Sequence, residues 1–315
     1  MKSPRTLLFV LLAACTAGGV ALAQAQPVSS SGVGPAGSGR VLAYQLVPGK
    51  TLRYKLTARI KGTIPLLGTP TPIDNGVISL VYAATPKTVL ADGLSDVELK
   101  VESVDVELEG LPVPIGLEDA EKVLNQTVTF SKTGEVKKIT GGGPLPFGVS
   151  IPGVDPKRLY SLLFPVVFPT APVKPGDTWP YKSELLGGQR NKPAFTATLL
   201  PEDQSGADPS LARIKTDFSL NVDQNFDGDH KPVADASLAH RTMKGKISGG
   251  GILTFDANAG RFTKGQLNIK ADISDDLTGK PQTPDEPKQI PSKVDAVVTL
   301  ELQPDAPANT ASGSP

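Results

Sequence analysis

The sequence predicts an all-β protein, mainly antiparallel, with one or two short helices and two related β-lobes from an internal duplication, arranged as a sandwich or half-barrel. Three observations predict it. Apolar and polar residues alternate with period two through most of the interior, the pattern of strands with one wet face. The 315 residues include 32 glycines and 30 prolines, nearly a fifth of the chain against an average of about 12%. They fall between apolar stretches, as turn punctuation does. A segment beginning at Pro48 recurs at Pro175.

The first residues are not part of the fold. Lys2 and Arg5 form a short positive region, Thr6 to Ala14 is apolar or small, and two A-x-A sites follow at Ala21–Ala23 and Ala23–Ala25. This predicts a secretory signal peptide over residues 1–25. Leu12-Ala13-Ala14-Cys15 also resembles a bacterial lipobox, in which Cys15 would be lipidated and become the mature N-terminus. The A-x-A sites favour ordinary cleavage. Residues 26–40 are Ser/Gly/Pro-rich and read as a flexible tether. Residues 303–315 read as a disordered tail.

Between them, four strands are plain from alternation: Leu52 to Ile60, Ile214 to Val222, Leu267 to Ile273 and Val294 to Leu300. A fifth stretch changes parity. Val97, Leu99 and Val101 are odd, whereas Val104, Val106 and Leu108 are even. One extra residue near Glu102-Ser103 would flip the buried face, so a β-bulge or a tight turn is expected there. Two short helices are expected. One starts at Asp155-Pro156 and carries Leu159, Leu162 and Leu163 up to Pro165; the other spans Leu117 to Asn125.

The repeat matches P-G-K-T-L-R-Y-K from Pro48 with P-G-D-T-W-P-Y-K from Pro175 at five of eight positions, offset by 127. Thr129-Phe130 with Gly134 matches Thr254-Phe255 with Gly260 at offsets of 125 and 126. Two matches at nearly one offset point to duplication of one unit. The expected division is a first β unit over 41–150, a helical bridge over 151–170 and a second β unit over 171–302.

Charge and cysteine content narrow the function. Loss of the signal leaves 30 basic against 32 acidic residues. No basic run offers a face to nucleic acid, and membrane contact is expected only through a lipidated Cys15. Cys15 is the one cysteine, so the mature chain has no internal disulfide and must be held by burial. Export without disulfides fits a bacterial periplasm or cell surface.

Catalytic patterns are missing. His230 and His240 lack any metal-ligand spacing, there is no G-x-S-x-G, and neither triple glycine (Gly141 to Gly143, Gly249 to Gly251) leads into G-K-[ST]. The triple glycines read as flexible connections or strand bends. The acid pairs Glu118-Asp119 and Asp275-Asp276 read as solvated. Asp223, Asn225, Asp227 and Asp229 match the first half of a calcium loop, where oxygens at positions one, three and five converge. The second half departs from it, with Ala234 where a glutamate should stand.

Three connections are unusually apolar for loops. They are Thr63 to Gly68, Gly110 to Gly116 and Pro144 to Gly153, and they bring Leu66, Leu67, Val113, Ile115, Phe147 and Ile151. Such residues either close the ends of the β-lobes or form the mouth of an apolar ligand or partner site.

The segment Pro172-Val173-Lys174-Pro175-Gly176-Asp177-Thr178-Trp179 resembles a loose set of exported bacterial β-rich proteins of unknown function, in which P-V-x-x-G-D-x-W begins a strand. The resemblance implies an extracytoplasmic β fold and no activity. A more distant likeness to bacterial lipoprotein carriers, whose curved sheet shields an apolar hollow, is architectural. Together these readings point to an exported, non-catalytic envelope protein that binds an apolar ligand or an envelope protein partner. A calcium-stabilised surface module is the alternative, and an unrecognised hydrolase a third. Thermal unfolding with calcium and with chelator tests the alternative. Calcium at 100 times its Kd should add about 2.7 kcal/mol, and an unchanged midpoint at millimolar calcium removes the idea.

Overall fold

The structure, a computed structural model, describes residues 39–304 except 67–68, 91–92, 110–115, 144–159, 183–193, 202–207, 229–231, 234, 282–283 and 285–286. The signal segment with Cys15 and the tail after residue 304 lie outside the described residues.

The strands follow the alternation, and they are long. They are β1 (Leu52–Leu66), β2 (Thr69–Val89), β3 (Ser95–Leu108), β4 (Gln126–Phe130), β5 (Val136–Gly141), β6 (Thr178–Tyr181), β7 (Ala194–Leu199), β8 (Leu211–Phe226), β9 (Pro232–Val233), β10 (Arg241–Asp256), β11 (Arg261–Leu277) and β12 (Gln289–Leu302). One helix, α1 (Leu117–Leu124), joins β3 to β4. The second expected helix starts among residues outside the description. Its described part, Tyr160 to Leu162, is a single 3-10 turn, and the chain then runs extended past Pro165. The proline ends the helical register, as expected.

All strands join one open antiparallel sheet in the order β5-β4-β3-β2-β1-β12-β11-β10-β8-β7-β6, with β9 paired to β8. The sheet runs as two meanders, β1 to β5 and β6 to β12, which meet where β1 pairs with β12 from Tyr54↔Leu302 to Thr63↔Lys293. β1 and β6, which carry the repeated P-G entry segments, are the first strands of the two meanders. Leu52 and Tyr54 share one face of β1, and Trp179 and Tyr181 share one face of β6. Leu52, Tyr54 and Trp179 are buried and Tyr181 is half-buried.

The parity change in β3 is a β-bulge. Ser103 pairs with Val81 and Val101 with Tyr82, so Glu102 has no partner of its own. The odd residues are buried before it, and the even ones turn inward after it. Glu102 points outward and pairs with Arg53 at 2.9 Å.

Both edges are guarded. β4 pairs with β3 only from Ser95 to Leu99. Beyond that point α1 lies along the free edge, and Asn125 Oδ1 accepts the Val101 N–H at 2.8 Å. α1 buries Ala120, Val123 and Leu124 and keeps Glu118 and Asp119 in its first turn, at the positive end of its dipole. The outermost strands carry Lys137 and Lys138 on β5 and Pro180 on β6, which deter pairing with another chain.

One end of the curved sheet is closed by a strap of two extended segments, residues 40–46 and 163–173. Arg40 and Val173 exchange backbone hydrogen bonds of 2.9 Å in both directions. Tyr44 N–H donates to Lys132 O in the β4–β5 turn at 2.8 Å, and Gln45 N–H to Gly260 O in the β10–β11 turn at 3.0 Å. The strap therefore bonds to both wings of the sheet. Its centre is Tyr44, whose ring lies 5.4 Å from Phe164, 5.2 Å from Phe168, 5.7 Å from Phe255 and 6.1 Å from Phe262. The Tyr44 hydroxyl donates to Val166 O at 2.8 Å, and Trp179 Nε1 to Val167 O at 3.0 Å.

The two turn glycines are required by this contact. Gly134 has φ +90° and Gly260 φ +60°, the left-handed region that other residues enter at a cost. A Cβ at Gly134 would overlap the Tyr44 ring, and one at Gly260 would overlap the Gln45 backbone nitrogen. These are the glycines matched by the repeat. Gly260→Ala should therefore destabilise the protein by at least about 1 kcal/mol from backbone strain alone, read as a lower midpoint in chemical denaturation. An exposed Gly49→Ala control also has φ +78° but meets nothing within 4 Å, so it carries the strain without the overlap and should cost less.

Candidate functional site

The sheet separates two environments. Its outer face is a polar ladder. Lys61 stands opposite Asp295, and Asp295 opposite Lys270. Lys293 stands opposite Asp272, and Asp272 opposite Lys246. The Lys270–Asp295 and Lys293–Asp272 pairs, at 3.6 and 3.3 Å, are exposed, and such pairs contribute little to stability. They keep the outer face wet and fix register.

The inner face is apolar across the strands. One row reads Ile60, Ala296, Ile269, Gly249, Phe218, Phe195 from β1 to β7. The neighbouring row reads Ala58, Val298, Leu267, Gly251, Thr216, Ala197. Small residues alternate with large ones, as a strongly curved inner surface needs. Phe218 stacks on Phe195 at 5.1 Å and 11°, and its ring lies over Gly249, where any side chain would collide with it. The triple glycine Gly249 to Gly251 is thus part of strand β10, in unbroken register, where it gives space to β8 and β11. Gly141 to Gly143 instead end β5 and turn the chain towards α1, with Gly143 N–H bonded to Lys122 O at 2.8 Å.

The two ends of the inner face differ. At the strap end, Leu163, Val166, Phe255 and Phe262 are 0% exposed. Elsewhere the inward apolar side chains Leu80, Val104, Val106, Leu267, Ile273 and Met243 are only half-buried. They flank a buried centre of Ala58, Ile60, Ala296 and Val298. The end opposite the strap carries the inner face's charged pair. Arg241 is 5% exposed and lies 3.8 Å from Asp275. Strand parity separates Asp275 from Asp276. Asp275 points inward, while Asp276 joins Ser274 and Gln289 on the outer face. The pair read as solvated acids from sequence is half-buried. Glu118 and Asp119 are solvated, and Lys122 bridges to Glu118 at 2.8 Å.

The remaining sequence-selected residues fall as follows. Leu66 ends β1, with its side chain outside the description. Leu67, Val113, Ile115, Phe147 and Ile151 lie outside the described residues, as do Asp229 and His230. Asp223 and Asn225 are within β8 on its outer face, opposite Lys244 and Thr242. Asn225 Oδ1 accepts a hydrogen bond from Thr242 Oγ1 at 3.0 Å. Consecutive residues on one face of a strand are about 7 Å apart, so this backbone spreads the two oxygens along a strand. Asp227 follows the strand, half-buried. Among the described residues, no three His, Cys, Asp or Glu side chains gather as metal ligands, and no helix is long and apolar enough to cross a membrane.

The class defined by this geometry is an open antiparallel half-barrel with a charged outer face and an apolar inner one. No protein-family model and no curated protein matches the chain. Among solved structures, lipovitellin, in a structure concerned with lipid–protein interactions, covers 83% of this chain at 10% identity and a TM-score of 0.42. The chain spans 26% of the length of that lipovitellin chain.

Four tyrosines on or beside the inner face ionise with difficulty. Burial raises the Tyr54, Tyr82 and Tyr181 hydroxyls well above their ordinary value. It raises Tyr44 as well, against a lowering by the bond to Val166 O. A raised folded-state value means that the unfolded chain loses these protons first. Their contribution is complete below the unfolded value of about 10 and is lost as pH rises above it. Stability should thus be insensitive to these groups at neutral pH and fall steeply above about pH 10, by up to about 1.4 kcal/mol per pH unit for each tyrosine. Denaturation midpoints from pH 8 to 11 check this, and Tyr82→Phe should flatten the alkaline limb.

Proposed function

We propose that this chain is an exported, non-catalytic envelope protein that holds an apolar ligand against the inner face of its half-barrel. One observation carries the reading. The strap end of the inner face is sealed by aromatic rings, but six inward apolar side chains beyond it keep part of their surface accessible. Inward apolar surface left open on a folded monomer marks a binding site more often than a packing error. The outer face is laced with Lys–Asp pairs, and its exposed Ile252 stands between Lys215 and Gln266.

Export is supported by Lys2, Arg5 and the A-x-A sites at Ala21 to Ala25. In this reading the protein works in the periplasm or at the cell surface of a bacterium. An acyl chain on Cys15 would tether it to a membrane, with the residues between Cys15 and the strap as spacer. The intact mass of the mature protein separates cleavage at an A-x-A site from lipidation of Cys15.

Native mass spectrometry of protein purified from its own host tests the ligand. The expected result is a co-purified hydrophobic molecule that is displaced by a neutral naphthylamine dye. Leu267→Trp, which enlarges one of the half-buried inward side chains, should weaken dye binding severalfold while the fold persists by circular dichroism. A clean apo mass together with no dye binding would overturn the proposal.

A further inference from the structure

Among the described residues, the end of the inner face opposite the strap carries a polar corner. β10, β11 and β8 bring three polar side chains around Met243. Asp275 and Gln224 stand directly opposite Met243 on its two neighbouring strands. Arg241 is two residues away on the same face of β10, opposite Leu277 and Phe226. The next inward residues are Ile273, Gly245 and Val222, so the corner passes directly into the apolar surface.

The hydrogen-bond accounting of this corner is uneven. Arg241 faces the Asp275 carboxylate at 3.8 Å, and its Nη2 donates to Pro287 O at 3.3 Å. The charge of one balances that of the other. Gln224 Oε1 is buried and accepts no hydrogen bond. Buried acceptors are normally matched, so an unmatched one beside an apolar surface is a place for a donor to arrive.

We propose that this corner is a head-group subsite and that the ligand is an uncharged amphiphile whose hydroxyl donates to Gln224 Oε1, such as a long-chain alcohol or an acylglycerol. The inference rests on the apolar-ligand reading above and adds the class of ligand. Its chain lies over the half-buried Met243 and Ile273, and its head stays among Gln224, Arg241 and Asp275. A charged head fits poorly. Arg241 is already neutralised by Asp275, so a carboxylate or an ammonium would bring an unbalanced charge into a half-buried place.

The test compares three probes of one chain length by displacement of a neutral dye: hexadecanol, hexadecyl methyl ether and palmitate. The alcohol and the ether differ in the hydrogen-bond donor. The wild-type protein should bind hexadecanol about tenfold more tightly than the ether, as one hydrogen bond to a buried acceptor allows. In Gln224→Leu the alcohol should lose that advantage, with thermal unfolding confirming that the variant is folded. Equal affinity for alcohol and ether in the wild type, an unchanged ratio in the variant, or palmitate as the tightest probe would each overturn the head-group subsite and leave the apolar-ligand reading standing. If none of the three displaces the dye and the dye itself does not bind, both fall.

Discussion

The contact on which the rest of the structure depends is Tyr44 seated in the strap. An open sheet has no hydrogen bonds to hold its curvature, since its two edge strands do not pair with each other. The strap supplies the missing restraint. It bonds to the β4–β5 turn on one wing and the β10–β11 turn on the other. Tyr44 fills the space between them with its ring and bonds to Val166, 122 residues away, with its hydroxyl. Phe130 reaches the same aromatic cluster through Phe164, at 4.5 Å. Remove that cluster and the two wings are joined only through the sheet itself, which is free to flatten.

Closing one end has an effect on the other. Most of the ring contacts lie where the strap crosses; beyond it Phe195, Phe218 and Phe226 line β7 and β8, and the other strands present aliphatic and small residues. Curvature sets which of them are hidden. Those on the central strands β1 and β12 are buried, whereas Leu80, Val104, Val106, Met243, Leu267 and Ile273 on the flanking strands remain half-buried. A ligand held there would meet a surface already bent to receive it, so little of the binding energy goes into shaping the site.

Much of the sheet was legible in the sequence because strand parity is a local property. Four strands and the bulge at Glu102 could be read from which residues were odd and which even. The helix at Leu117 was legible too. The strap was not. Residues 40–46 are too short for periodicity to show, and they follow a tether-like stretch. Their meaning depends on Phe164 and Phe168 far along the chain. The repeat did mark both turns that grip the strap, at Gly134 and Gly260, although their role depends on Tyr44, which lies outside the repeat. The polar corner was hidden for another reason. Asp275 and Asp276 look like one solvated pair in a line of text, and only their placement on a strand sends one inward to Arg241. The apolar loop residues from Leu66 to Ile151 were selected by composition alone.

The order of the strands also dictates when the fold can be completed. β1, the first strand made, sits at the centre of the sheet and finds its second neighbour only in β12, the last strand made. Until residue 302 is available, β1 and β11 both present an unpaired edge bordered by apolar side chains. A chain delivered N-terminus first must carry that exposed seam through almost the whole of its delivery. Such non-local pairing is slow and prone to wrong partners. The closing step is a zipper from Tyr54–Leu302 to Thr63–Lys293, and a chain truncated before β12 would lose the middle of the sheet rather than its margin.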